Sequence, residues 1–136
     1  MRTIKEIIIH CADTPEGRDN KASDIDRWHK QRGFDRIGYH YVIDLDGTIE
    51  AGREPDCIGA HCKGHNTNSI GICYIGGADY DTLKPKDTRT DAQKKSLLLL
   101  LKYLRQRYPD AKIYGHRDFS DKACPSFDAK KEYENI

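Results

Sequence analysis

The chain has 136 residues, enough for one domain with a core of its own. Its 37% hydrophobic and 33% charged composition is that of an ordinary globular protein. With 23 Lys and Arg against 22 Asp and Glu the formal net charge is +1, so no bulk positive field is available to hold a nucleic acid. The longest apolar run, Leu97 to Leu101, falls far short of the roughly 18 residues of a membrane span, so membrane insertion is not expected either. Residues Met1 to Glu6 lack the apolar stretch and small-residue cleavage site of a signal peptide. Synthesis in the cytoplasm is therefore expected, and any extracytoplasmic substrate would be reached by lysis or export. The cysteines (Cys11, Cys57, Cys62, Cys73 and Cys124) are odd in number. Without a secretion signal they point to free thiols or metal ligation rather than a disulfide framework.

Taken in order, Lys5 to His10 is a nearly continuous apolar run suited to a strand buried on both faces. A polar loop, Ala12 to Ala22, follows, with Thr14-Pro15 and Gly17 as turn signals. Ser23-Asp24-Ile25-Asp26 resembles a capping box and predicts a helix with Ile25 and Trp28 inward, ending near Gly33. Ile37 to Asp44 and Thr48 to Ala51 flank Leu45-Asp46-Gly47, a strong hairpin signal. Residues 52–68 form a loop longer than compact domains usually carry without a functional reason. Ser69 to Ile75 is a second buried strand, closed by Gly76-Gly77, and the polar segment Ala78 to Arg89 is expected to be mobile.

Thr90-Asp91-Ala92-Gln93 is a capping box. The helix it opens carries the stripe Leu97, Leu98, Leu101, Leu104 and Tyr108 until Pro109 stops it. Lys112 to Tyr114 reads as a short strand delivering His116, and Phe127 to Tyr133 as a final helical turn or two capped by Asp128. The expected fold is α/β, a single domain spanning residues 1–136 with a central mixed β-sheet flanked by helices.

The segment Tyr114 to Pro125 concentrates the chemistry: an imidazole (His116), an ammonium (Lys122) and a thiol (Cys124). Two ligands do not make a zinc site, and the third candidate is His10, at the end of the first strand. Two imidazoles and one thiolate would leave one position open, as catalytic zinc requires, and the metal would activate a bound water and polarise a carbonyl. Lys122 is a candidate cation over a developing oxyanion, against the alternative of one more solvated surface lysine. Tyr39 offers a phenol, although strand tyrosines usually serve cross-strand packing. Strict alternation would put Tyr39 and Tyr41 on one face and His40 on the other. His61, in the long loop, could line a cleft or be an ordinary solvated histidine. A rival set, Cys57, Cys62, His65 and Cys73, would make a closed structural zinc site, but it lacks the paired C-x2-C spacing of zinc knuckles.

Six ordered segments together resemble a known family. They are Ile9-His10-Cys11, Arg27-Trp28-His29-Lys30, Gly38-Tyr39-His40-Tyr41, Asp46 to Arg53, Asn68-Ser69-Ile70-Gly71-Ile72 and Lys122 to Asp128. They are similar to the type 2 N-acetylmuramoyl-L-alanine amidases, the zinc amidase and peptidoglycan recognition protein superfamily, and nearest to its small phage members. The resemblance implies one zinc ion on His10, His116 and Cys124, catalytic roles for Tyr39 and Lys122, and a substrate-lining role for His61. It implies hydrolysis of the lactyl–L-alanine amide of peptidoglycan by a bacteriolytic, endolysin-like enzyme; a monomer is the expected state. No separate wall-binding domain is expected. The alternative within the same fold is a module that binds peptidoglycan without cutting it.

Overall fold

The computed structural model describes residues 2–136. Its centre is a five-stranded sheet of β1 (Glu6–Cys11), β3 (Tyr41–Ile43), β4 (Ile49–Ala51), β5 (Ser69–Tyr74) and β7 (Lys112–Gly115), arranged in the order β4-β3-β5-β1-β7. β1 lies parallel to both β5 and β7, β3 lies parallel to β5, and only the hairpin β3–β4 is antiparallel. The mixed sheet expected from sequence is thus present. Its central strands read as continuous apolar runs because both faces are covered.

One face packs on α2 (Asp91–Arg107) and the short α3 (Ala129–Glu132). There Ile7, Ile9, Ile70 and Ile72 meet Leu97, Leu100, Leu101 and Leu104. The other face packs on α1 (Ala22–Gln31), where Ile25 meets Val42, Cys73 and Ile75. Among the described residues no helix is long and apolar enough to cross a membrane.

Several expectations need correction. The inward stripe of α2 contains Leu100 in place of Leu98, which is 37% exposed. The buried set 97, 100, 101 and 104 follows the 3.6-residue period, and Leu98 falls off its edge. α1 starts earlier than Ser23: Asp24 Oδ2 accepts from the Lys21 backbone N–H at 2.9 Å, so Lys21 is the residue at the cap. Its second inward residue is His29, and Trp28 is only half-buried.

The loop after β1 contains a two-residue strand, β2 (Thr14–Pro15), paired in parallel with β6 (Gly77–Ala78). The segment expected to be mobile is anchored at its end. Arg89 lies over the Phe127 ring at 3.4 Å and bonds Asp87 and Glu132 at 2.8–2.9 Å. Finally, Tyr39 and Tyr41 face opposite sides of the sheet, Tyr39 against the α1 layer and Tyr41 against the α2 layer. Regular pairing begins only at Tyr41. The backbone bends at Gly38 and His40, so alternation does not run back through them.

Gln93 ties α2 to the sheet. Fully buried, its Nε2 donates to Ile43 O at 3.2 Å and Ile75 O at 2.9 Å, while Oε1 accepts from Thr90 N at 3.0 Å. Gln93→Leu strands a buried acceptor and removes the cap's return bond, and should cost about 2–4 kcal/mol in urea denaturation. Leu99→Ala, at a 62% exposed position, should stay within about 0.5 kcal/mol.

Asp44 is buried beside Glu50, and desolvation followed by that neighbour raises it to about 7. The folded chain therefore keeps this proton where the unfolded chain has lost it, so stability falls as pH rises from the ordinary carboxyl range through about 7. Asp44→Asn should flatten that decline in denaturation curves taken from the ordinary carboxyl range to just above the raised value of about 7.

Candidate metal centre and its cleft

The register of β1 against β7 brings the two ends of the chain together. Ile9 pairs with Gly115, so His10 on β1 comes beside His116, the residue that follows β7. Their rings lie 4.6 Å apart. His10 is 1% exposed. His116 opens the single 3-10 turn His116–Asp118, held by Asp118 Oδ2 accepting from Gly115 N at 2.8 Å.

The loop beyond the turn folds back, with Arg117 N donating to Cys124 O at 2.7 Å. This sets Cys124 Sγ 3.2 Å from the backbone N–H of Cys11, which donates to it. The candidate ligand atoms of His10, His116 and Cys124 all lie within 4.8 Å of one another. A tetrahedral zinc site with bonds of about 2.0–2.3 Å has edges of roughly 3.5 Å, so the three residues need only a small contraction to share one ion.

The donor set also fits in its chemistry. Burial, then the neighbouring His61 and His116, hold His10 well below the ordinary histidine range, and burial lowers His116 as well. Both imidazoles are therefore neutral near pH 7, the form that can ligate. The Cys11 thiol beside it, together with burial, pushes Cys124 up while no cation is present. The Cys11 N–H aimed at Sγ is suited to a thiolate once a cation displaces the proton.

Around this centre opens a cleft of about 730 Å3, lined among others by Phe34, Tyr39, His61, His116, Lys122 and Cys124. It lies at the carboxyl ends of the parallel strands, where open α/β sheets place their ligands. Tyr39 is positioned by α1: His29 Nδ1 accepts from Gly38 N at 2.9 Å, and the Tyr39 ring lies 5.4 Å from His29 and 5.0 Å from His10. Desolvation raises its phenol well above the ordinary value, so it remains a proton donor. Lys122 is exposed and forms no ion pair among the described residues. Its charge is near enough to His116 to disfavour the imidazolium.

His61 belongs to the cleft, but it is not a free loop histidine. Burial, then His40, lowers it to about 3, and both ring nitrogens already have partners: His10 Nε2 at 2.9 Å and Ser69 Oγ at 3.1 Å. Neither Ser69 nor the His10 contact was foreseen. Gly71, inside an otherwise apolar strand, was the only trace of a close approach there. The rival cysteine set does not assemble. His65 pairs with Glu6 at 2.9 Å and stacks on Phe119 at 3.8 Å, while Cys73 is buried mid-strand. Among the described residues His10, His116 and Cys124 form the one group arranged for a metal.

The chain is similar to known proteins in both sequence and fold. The family model described as N-acetylmuramoyl-L-alanine amidase matches residues 1–127. The endolysin of Escherichia phage T7 is 43% identical over 128 residues, covering 94% of this chain and 84% of that protein. The endolysin of Klebsiella phage KP32 is 42% identical over 129 residues, with 95% and 85% covered. Among solved structures, the N-acetylmuramoyl-L-alanine amidase LysC from Clostridium intestinale URNW superposes with a TM-score of 0.82 at 30% identity, covering 96% of this chain and 82% of that one. Drosophila PGRP-LB gives 0.81 at 26% identity, with 99% and 82% covered. With the family model matched over residues 1–127 and 84–85% of the length of these two phage endolysins covered, the chain belongs to the N-acetylmuramoyl-L-alanine amidase family.

Proposed function

We propose that this chain is a zinc-dependent amidase that cleaves the bond between the lactyl group of N-acetylmuramic acid and L-alanine in peptidoglycan. The observation that carries the reading is the meeting of His10, His116 and Cys124 at the edge of a cleft that also holds Tyr39 and Lys122. His10, His116 and Cys124 would hold one zinc ion. When bound, the ion supplies an activated water and polarises the scissile carbonyl.

The remaining work falls to the chain's own side chains. Lys122, unpaired and reaching the cleft, places an ammonium where the carbonyl oxygen gains negative charge, and that interaction strengthens as the transition state forms. Tyr39, kept protonated by its buried setting, donates a hydrogen bond to the same oxygen or orients the attacking water.

The phage relatives named endolysin support a bacteriolytic role, with the wall reached after synthesis in the cytoplasm by lysis or export. The chain would act as a monomer.

The two kinds of residue should separate on mutation. Cys124→Ala should lose both zinc, read by elemental analysis of the purified chain, and turnover. Lys122→Ala should keep one zinc per chain and lose about 100-fold or more in turnover, the scale of removing one oxyanion-stabilising group. Undiminished turnover in Lys122→Ala would refute the role assigned to it, and full zinc occupancy in Cys124→Ala would refute the ligand set.

A further inference from the structure

His61 sits in a slot built for its ring. A Cβ at Gly71 would fall 2.6 Å from His61 Cγ, and one at Gly59 would fall 2.8 Å from its Cδ2, so glycine is needed on both sides. Asn66 Oδ1 accepts from the backbone N–H groups of His61 and Cys62, each at 2.9 Å, which fixes the loop that carries the ring. His61 Nδ1 lies 2.9 Å from His10 Nε2, and the two rings meet edge to face at 87°. His61 Nε2 lies 3.1 Å from Ser69 Oγ. Ser69 is fully buried at the start of β5, in the strand directly paired with β1, so the sheet fixes its hydroxyl relative to His10.

A neutral histidine ligand presents one nitrogen lone pair and carries its proton on the other nitrogen, and the partner of that proton sets ring orientation and tautomer. Because His10 Nε2 points at His61, Nδ1 is the atom left for a metal. We propose that His61 is a positioning residue: it accepts from His10 Nε2–H, donates its own Nε2–H to Ser69 Oγ, and so holds His10 with Nδ1 turned to the metal. This rests on the zinc reading above. It departs from a polar substrate contact, because neither ring nitrogen of His61 is free.

The test compares three variants in the zinc-loaded chain. His61→Asn places a carbonyl oxygen near the Nδ1 position and keeps only the acceptor for His10. His61→Gln places its amide near the Nε2 position and keeps only the reach to Ser69. Ser69→Ala leaves His61 in place and removes the far end of the chain of bonds, which keeps the test valid if the His61 variants do not fold.

The readouts are the zinc dissociation constant by chelator competition, the absorption bands of the cobalt-substituted protein, and the His10 tautomer by 15N-detected NMR. His61→Gln is expected to weaken zinc binding about 10–100-fold, shift the cobalt bands and loosen the His10 Nε2–H tautomer. His61→Asn should recover most of that loss, and Ser69→Ala should move the same readouts in the same direction by less. Unchanged zinc affinity and tautomer in His61→Gln and Ser69→Ala would overturn the proposal, even if peptidoglycan cleavage fell. A parent chain that binds no zinc would instead remove the zinc reading itself.

Discussion

The parallel register of β1 between β5 and β7 is the constraint on which the site depends. Pairing Ile9 with Gly115 makes His10 and His116 neighbours although 106 positions separate them along the chain. Pairing Glu6 with Ser69 in the same sheet places a buried hydroxyl below His61, and pairing Ile72 with Tyr41 leads the chain back through the bend that carries Tyr39. A slip of one residue in β1 would turn His10 into the α2 layer and bring Ile9 to the site, because side chains alternate with period two. The long apolar runs of β1 and β5 resist such a slip only through the shape of what covers them: Leu97, Leu100, Leu101 and Leu104 on one side, Ile25 and Ile37 on the other.

Around that frame, buried polar groups act as spacers. Gln93 bonds two strand-end carbonyls and a helix cap at once. His40 uses both nitrogens, with Nδ1 accepting from Gly71 N at 3.0 Å and Nε2 meeting Cys57 O at 2.8 Å, and so fixes the long loop against β5. His29 holds Gly38, and through it Tyr39. Each of these groups would be costly to leave unpaired in the interior, which is why the chain meets them in one arrangement. The cleft then contains neutral imidazoles and a protonated phenol, with the exposed ammonium of Lys122 beside the candidate ligands and that of Lys63 on the loop opposite, a set suited to binding a cation and stabilising an oxyanion.

Much of this was legible in the sequence, for identifiable reasons. Long apolar runs, the Asp-Gly hairpin and the Thr90 capping box are local signals, and each produced its element. The His10, His116 and Cys124 set could be named because few residue types ligate zinc and the resemblance to a family fixed which of them belong together. What escaped was non-local. The parallel pair β2–β6 is two residues long and has no periodicity to detect. Arg89 reads as one more surface charge until Glu132 and Phe127 arrive from a later part of the chain. The bend at Gly38 breaks the alternation that would have put Tyr39 and Tyr41 on one face. His61 reads as either a cleft-lining or a solvated loop residue, and its contacts escape because its partners, His10 and Ser69, come from two different strands.

The measurement that bears most directly on the central claim is mass spectrometry of the soluble products released from purified sacculi, comparing the zinc-loaded chain with a chelated control. A zinc amidase with this site releases stem peptides that begin at L-alanine, leaves sugar chains without new reducing ends, and does neither after chelation. New reducing ends would identify a glycosidase and contradict the mechanism, and sacculus binding with no soluble product would identify a recognition module instead.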